Sequence, residues 1–357
     1  MKKTAIILLL AALGTCGAAA CTSAIVSARA SVTGRPLLWK HRDTGAPGNF
    51  IARVAESDST IGYTALFNDG DSLLSEAWMG MNDAGLGIMN TASYNLMPDT
   101  AKLCDREGAV MSAALATCRT VDDFEALLAR LPKPLGVQAN FGVIDAHGGA
   151  AYFETDDHRW TRFDVADAPE GYIVRTNFSV TGDAGKGYGY IRYNTARHII
   201  ENDTVYGFTP ALFTEGMSRS FYHSLSGHDY LAGDNEHFVY DADFIPRNIS
   251  TASIVIEGVT STEDAADMKM WTVLGYPPCS PVRLVTLGVI PADLGPSLPG
   301  WRSPACEQAM ALRRTLAPYK GGSGRSYINL DRLRPIVKRM HEASMSEYEN
   351  NRQSAEK

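Results

Sequence analysis

Residues 21–43 read CTSAIVSARASVTGRPLLWKHRD. Two apolar runs, Ala24–Ala28 and Pro36–Lys40, flank the turn-forming Val32-Thr33-Gly34-Arg35. The pattern predicts two strands that leave Cys21, reverse at Gly34 and return. The returning strand carries Lys40-His41-Arg42-Asp43 back beside Cys21. Charged residues at strand ends are ordinarily solvated, and that is the plain reading of Lys40 and Asp43. Beside a cysteine they have a second use: a carboxylate orients an amine, and a cation favours a thiolate.

What precedes Cys21 gives that second use its weight. Residues 1–20 read MKKTAIILLLAALGTCGAAA, a basic start, a short apolar run and an Ala18-Ala19-Ala20 exit. This is the form of a secretory signal peptide, and its apolar run is too short to span a bilayer. It predicts export across a bacterial inner membrane, to the periplasm or beyond. A cut after Ala20 makes Cys21 the first residue. The thiol is then a nucleophile whose proton its own free amine can accept. Two other fates compete: Cys21 as the lipidated residue of a surface lipoprotein, or a structural cysteine near a leader cut. Ala18-Ala19-Ala20 lacks the leucine usual before a lipidated cysteine. Leu13-Gly14-Thr15 before Cys16 has the leucine but a poor last residue.

Cys104, Cys118, Cys279 and Cys306 form an even set in an oxidising compartment. Sequence proximity favours Cys104–Cys118 and Cys279–Cys306, against the alternative of four buried thiols. Metal-ligand spacings are absent from the sequence, and no metal is expected.

Outward from the first hairpin, short strands are predicted at Ile61–Phe67, Ser75–Met79 and Gly85–Asn90, and helices at Glu107–Thr117 and Val121–Leu131. Thr120 is a candidate N-cap, and Pro132 a stop. A second β block runs through Ala139–Ala146, Gly149–Glu154, Arg159–Val165 and Tyr172–Thr176. Helices follow at Ile191–Glu201 and Pro210–Phe221. Strands return at Ala252–Glu257, Met268–Leu274 and Arg283–Val289. The last helices are Pro304–Leu316 and Ile328–Ser344, with a tail that frays after Glu349. Blocks of hairpin-spaced strands separated by helices predict an α+β chain, with two antiparallel sheets between helical layers. The division expected is a leader over 1–20, one large domain over 21–290, and a helical extension over 291–357.

The chain has 357 residues, 45% hydrophobic and 20% charged, which is an ordinary globular balance. Its formal charge is −7. Removal of Lys2 and Lys3 with the leader makes it more acidic still, which argues against nucleic-acid or anionic-membrane binding. No segment after the leader is long and apolar enough for a membrane span. The Gly-x-Ser-x-Gly elbow of a serine hydrolase is missing. His147 and His158 sit by turns and read as surface residues.

Together the motifs resemble those of the N-terminal-nucleophile hydrolases of the choloylglycine hydrolase, penicillin V acylase and isopenicillin N acyltransferase type. That group begins its mature chain with Cys-Thr, as Cys21-Thr22 does. A hairpin later it carries a basic-Asn-x-Asp element, matched by Lys40-His41-Arg42-Asp43 with His41 in place of the asparagine. The resemblance implies that Asp43 binds the Cys21 amine. It leaves open whether Lys40, Arg42 or a late arginine, Arg247 in Pro246-Arg247-Asn248, supplies the active-site cation. Asn82-Asp83-Ala84-Gly85-Leu86 resembles the group's Asn-x-x-Gly-Leu segment, and Asn90 at its end is the first oxyanion candidate. Thr176-Asn177 resembles a Thr-Asn element and makes Asn177 the second. Ala139–Ala146 and Ala151–Glu154 are similar to a hairpin of the acyltransferase-like branch, with Asn140 structural.

The resemblance covers roughly 21–290. It implies the four-layer αββα fold, hydrolysis of a linear amide through a thioester on Cys21, and no cofactor. The substrate expected is a small-molecule amide: an N-acyl amino acid, a bile-salt-like or penicillin-like amide, or a small peptide. Acyl transfer or dipeptidase action on the same site is the alternative within the enzyme class. A non-catalytic lipoprotein is the alternative outside it. Members of the group often assemble, so a homo-oligomer is one state the resemblance allows. Trp39, Phe67, Trp78, Tyr94 and Phe178 are candidates to shape an acyl pocket. Tyr188-Gly189-Tyr190 with Tyr193 are candidates for a flap.

Overall fold

The computed structural model describes residues 20–97, 105–233, 235–241, 243–320 and 326–355. The first hairpin forms as its sequence dictates: β1 (Thr22–Val26) pairs antiparallel with β2 (Leu37–Asp43). Gly34 takes φ +70 in the turn between them, a backbone geometry glycine adopts at no steric cost. Next come β3 (Asn49–Val54), β4 (Tyr63–Asn68), β5 (Met79–Asn82) and β6 (Gly87–Ala92), then α1 (Glu107–Thr117) and α2 (Val121–Arg130). A second run holds β7 (Ala139–Ile144), β8 (Ala150–Thr155), β9 (Trp160–Asp164) and β10 (Tyr172–Arg175). The chain continues through α3 (Tyr190–Asn202), the short strands β11 (Tyr222–His223), β12 (His228–Asp229) and β13 (Phe238–Tyr240), then β14 (Ser250–Glu257), β15 (Lys269–Leu274) and β16 (Arg283–Thr286). It ends with α4 (Pro304–Leu316), β17 (Tyr319–Lys320), β18 (Ser326–Asn329) and α5 (Leu330–Ala355).

Two large antiparallel sheets result. One has six strands in the order β10-β1-β2-β14-β15-β16, and the other has seven in the order β3-β4-β5-β6-β7-β8-β9. The strands are apolar on both faces because each sheet is covered on both. Ile25, Leu38, Met89, Ile144 and Ile254 fill the space between the sheets. Gly142 lies there, where an added Cβ would stand 2.4 Å from Met89 Cε and 3.1 Å from Ile25 Cδ1, so its lack of a side chain sets how close the sheets come. Helices α1 and α2 cover the outer face of the seven-stranded sheet, with Met111, Leu115, Phe124 and Leu128 against Phe50, Phe67 and Phe141. The outer face of the six-stranded sheet carries Ala24, Val26, Trp39 and Val255, covered by Ala196 of α3 and by Leu212 and Phe213. The α+β fold is therefore the four-layer αββα sandwich.

Several elements differ from the sequence expectation. Asn49–Val54, to which the sequence reading assigns no element, forms the edge strand β3. The strand expected at Ser75–Met79 starts only at Met79, since the Asp71 carboxylate accepts from the Ser75 and Glu76 amides and holds that stretch in a turn. The helix expected over Pro210–Phe221 shortens to one π-helical turn, Leu212–Met217. The last helix does not fray after Glu349 but runs to Ala355, tied to the body by Lys269 Nζ donating to Asn351 Oδ1 at 3.0 Å and by stacking of Tyr348 on Trp271.

Cys118, Cys279 and Cys306 are buried free thiols, so the Cys279–Cys306 pairing is corrected. Cys104 lies outside the described residues. Burial pushes the Cys279 thiol up to about 12 and the Cys306 thiol up to about 11, the environment of inert packing residues.

Candidate active site

Register places the nucleophile candidate. On β1, Thr22 pairs with His41 and Ser23 pairs with Arg175 of β10. Continued along the chain, these registers set Cys21 opposite Arg42 on one side and in line with Asn177 on the other. Cys21 is 4% exposed, and its Sγ lies 3.8 Å from the Asp43 carbonyl oxygen. Ala20 still precedes it: Ala20 N donates to Asp43 O at 3.2 Å, and Arg247 Nη2 donates to Ala20 O at 3.1 Å. Residues 1–19 lie outside the described residues.

Alternation along β2 divides its polar residues. Lys40 and Arg42 point between the sheets, while His41 and Asp43 point to the helical side. The Lys40 ammonium is buried, donating to Asn90 Oδ1 at 2.7 Å and to Trp78 O at 2.8 Å. Burial without a carboxylate partner lowers its pKa from 10.5 to about 7, an effect that the charge on Cys21 opposes. Arg42 donates to Asn49 Oδ1 and, at 2.9 Å, to Asn68 Oδ1, with its guanidinium 5.0 Å from the Trp78 ring centre. Burial lowers its pKa to about 10.

On the other face, Asp43 is fully buried. Its Oδ2 accepts from Arg247 Nε at 2.8 Å and its Oδ1 from Ser250 Oγ at 2.6 Å. Ser250 Oγ also accepts from Arg247 N. Its one proton is committed to Asp43, so His41 Nε2, 2.9 Å away, must be the donor to it. That leaves His41 Nδ1 unprotonated, buried and without a partner, which agrees with a pKa lowered by burial to about 4. His41 thus occupies the asparagine position as a neutral donor to the serine that holds Asp43. The Asp43 carboxylate is held by Arg247 and Ser250; this site meets the Cys21 position through the Asp43 backbone carbonyl and through Arg247 on Ala20 O.

Asn177 follows β10 and is buried. Its Oδ1 accepts from Arg192 Nη2 at 2.6 Å, and its Nδ2 donates to Ala92 O at 2.8 Å. Arg192 Nη1 donates to Cys21 O at 2.6 Å and to Thr22 Oγ1 at 2.8 Å. One guanidinium on α3 therefore joins the nucleophile's backbone to Asn177. Sequence reasoning missed Arg192 and Ser250. For Arg192 a signal existed: it shares a helix face with Thr195 and Ala196, both buried, so an arginine there needs polar partners inside. Gly189, the residue before α3, has φ +87, and an added Cβ would lie 2.6 Å from Arg192 Nη2.

The structure brings together Cys21, Lys40, Arg42, Asp43, Asn90, Asn177 and Arg247. The charge on Cys21 acts on Lys40, Arg42, Arg192 and Arg247. Asp43 is the carboxylate paired with one of those four cations; among the described residues none of the other three has one. Of the aromatic candidates, Trp39 and Phe67 lie in the packed cores. Trp78 stacks beside Lys40 and Arg42. Tyr94 and Tyr188 meet edge to face beside Asn177, and Phe178 stacks on Tyr190. His147 and His158 are exposed. Among the described residues no cluster of His, Cys, Asp or Glu could hold a metal ion, and no helix is long and apolar enough to cross a membrane.

Residues 41–201 match the family model described as acyl-coenzyme A:6-aminopenicillanic acid acyl-transferase. The match begins after Cys21 and ends before Arg247, and it includes Asp43, Asn90, Asn177 and Arg192. No curated protein sequence matches the chain. Solved structures similar in fold include an N-acylethanolamine-hydrolyzing acid amidase ortholog from Caenorhabditis elegans, with 14% identity and a TM-score of 0.44 over 66% of this chain and 92% of that one. A mutant of the conjugated bile acid hydrolase from Clostridium perfringens is 12% identical, with a TM-score of 0.44 over 75% of this chain and 92% of that one. Penicillin V acylase from Agrobacterium tumefaciens is 11% identical, with a TM-score of 0.39 over 76% and 87%.

Proposed function

Taking the chain as a member of the N-terminal-nucleophile hydrolase group, we propose that it is an exported amidase that cleaves a linear amide through a thioester on Cys21. Removal of residues 1–20 would convert the Ala20–Cys21 amide into a free amine. The Cys21 sulfur then attacks the substrate carbonyl, and the amine takes the thiol proton. Asn177, with Asn90 fixed by Lys40, donates to the oxyanion. The C–N bond breaks, the proton passes to the leaving nitrogen, and a thioester remains. Water resolves it to the acid and restores the thiol.

The single observation that carries this reading is the charge around the sulfur. Lys40, Arg42, Arg192 and Arg247 surround Cys21, and of the four only Arg247 is ion-paired among the described residues, to Asp43. Buried cations are costly unless another charge joins them. An oxyanion supplies that charge in the transition state, and a substrate carboxylate supplies it in the bound state. The favoured substrate is therefore an amide that also carries a carboxylate, such as an N-acyl amino acid. Acyl transfer is the second reading, favoured by the description of the family that residues 41–201 match. It differs only in that an amine, not water, takes the acyl group.

The test pairs intact mass of the exported protein with turnover of N-acylglycines and their uncharged N-acyl-ethylamide counterparts, in wild type and Cys21→Ser. The expected result is a mature chain starting at free Cys21, release of glycine faster than of ethylamine, and loss of both in the variant. A diacylglyceryl mass on Cys21, or turnover that survives the substitution, refutes the mechanism. A second amino acid added as acceptor, yielding its N-acyl derivative in preference to the free acid, would identify the acyl transfer branch.

A further inference from the structure

We propose that Glu154 is a positioning residue for this reaction: from β8 it clamps the loop that carries Asn177. The inference rests on the oxyanion role given to Asn177 above. Thr91 of β6, Asn140 of β7 and Glu154 of β8 are register partners, so they form one polar row across three strands of the seven-stranded sheet. All three are buried. Each is aimed at the segment that follows β10. Thr91 Oγ1 donates to Thr176 O at 2.8 Å. Asn140 Nδ2 donates to Thr176 O and to Phe178 O, both at 3.2 Å, and its Oδ1 accepts from Ser179 Oγ at 2.5 Å. The two carbonyls that Asn140 bridges flank Asn177 on either side.

Glu154 closes the loop. Its Oε1 accepts from Arg175 Nε and Val180 N, both at 2.9 Å. Its Oε2 accepts from Thr181 N at 2.9 Å and from Thr181 Oγ1 at 2.6 Å. The carboxylate thus grips residue 175 at the end of β10 and residues 180 and 181 beyond the loop. Asn177 sits in the span between those grips. Both oxygens are used as acceptors, and Arg175, nearly fully buried, matches the charge. Only a carboxylate fits this set of donors. An amide in its place would set an N–H group against either Arg175 and Val180 or the two Thr181 donors. Oxyanion donors act through position, so a loop released on one side costs rate without removing a group that touches substrate.

The test is a double-mutant cycle with Glu154→Gln and Asn177→Ala, measured on whichever N-acylglycine wild type hydrolyses, with hydrogen exchange of the 176–183 segment in parallel. Asn177→Ala is expected to lower kcat by about 10²–10³. Glu154→Gln is expected to lower kcat by roughly 10–100-fold with KM changed less than about 3-fold, and to speed exchange at Val180 and Thr181. Because Glu154 acts through Asn177, the double variant should be no slower than Asn177→Ala within about 2-fold. Thr181→Val removes one donor at an exposed position and keeps the test alive if Glu154→Gln folds poorly. It should give a smaller kcat loss of the same non-additive kind. Losses that multiply in the double variant, or loop exchange unchanged in Glu154→Gln, overturn the role while the amidase stands. A wild type silent on every amide overturns both.

Discussion

Lys40 is buried between the sheets with neutral acceptors only, and this has a measurable cost. In the unfolded chain its amine titrates near 10.5, and in the folded chain near 7. Between those values the unfolded state binds more protons, so stability rises with pH. The penalty is full below pH 7 and fades toward pH 10.5. At about 1.4 kcal/mol per pH unit, the folded protein gains about 2–3 kcal/mol from Lys40 alone between pH 6 and pH 9. The perturbation is Lys40→Met, which keeps the stem and removes the charge. Both proteins would carry Cys21→Ala, so that the thiol does not titrate. Losing that charge removes the larger of the two that prop up the ammonium, the other being Glu107, so the effect should be at least as large. Urea midpoints at pH 6, 7, 8 and 9 give the readout. The Lys40→Met protein should lack the rise, and its advantage over the Lys40 protein should shrink by the stated amount as pH increases. Unpaired Asn90 and Trp78 acceptors shift its curve by a constant and leave the slope alone. Parallel curves for the two proteins would refute the argument, since they would mean that Lys40 keeps its ordinary pKa and reaches water or a carboxylate.

Two further outcomes follow from the same geometry. Arg247→Met leaves Asp43 fully buried with its Oδ2 unpaired, and should cost about 3–5 kcal/mol in unfolding free energy at pH 7, read from denaturant melts. A variant as stable as wild type would mean that Ser250 and His41 alone hold the carboxylate. Alkylation in denaturant without reductant should label Cys118, Cys279 and Cys306, read by peptide mass. A linked Cys279–Cys306 peptide would contradict the free thiols.

Much of the fold was legible because hairpin spacing and helix caps are local. Thr120 caps α2 with a full capping box, and Ser303 accepts from Cys306 N at the start of α4. The misreadings have two causes: β3 and the 212–217 turn are held by partners distant in sequence, Ile51 N on Leu294 O and Leu212 and Phe213 on the six-stranded sheet, whereas the Asp71 turn is a local side-chain cap hidden under a strand-like pattern. The site was legible in the same proportion. Cys21, Lys40 and Asp43 lie on one hairpin, so the turn alone brings them together. Asn177 is reached through the Thr-Asn resemblance, and the register of β1 with β10 that places it is a long-range pairing. Arg192 and Ser250 come from a helix and a strand whose contact with β1 and β2 no local pattern encodes.

The alternation of β2 explains why one strand can supply both halves of such a site. Residues two apart share a face, so Lys40 and Arg42 look inward toward the sulfur and the facing sheet, while His41 and Asp43 look outward to Ser250 and Arg247. The inward pair has no ion-paired carboxylate among the described residues, and Lys40 lies close to its titration range. The outward pair is closed: each Asp43 oxygen has a donor, and His41 is neutral. A slip of one residue would exchange the two faces, turning His41 and Asp43 between the sheets and Lys40 and Arg42 to the helical side. The pairing of His41 with Thr22 and Ser253 on its two flanks prevents that slip, because Leu38 and Trp39 would then have to trade the inter-sheet core for the helical one. Hydrophobic burial of Leu37, Leu38 and Trp39 thus fixes which charges face Cys21.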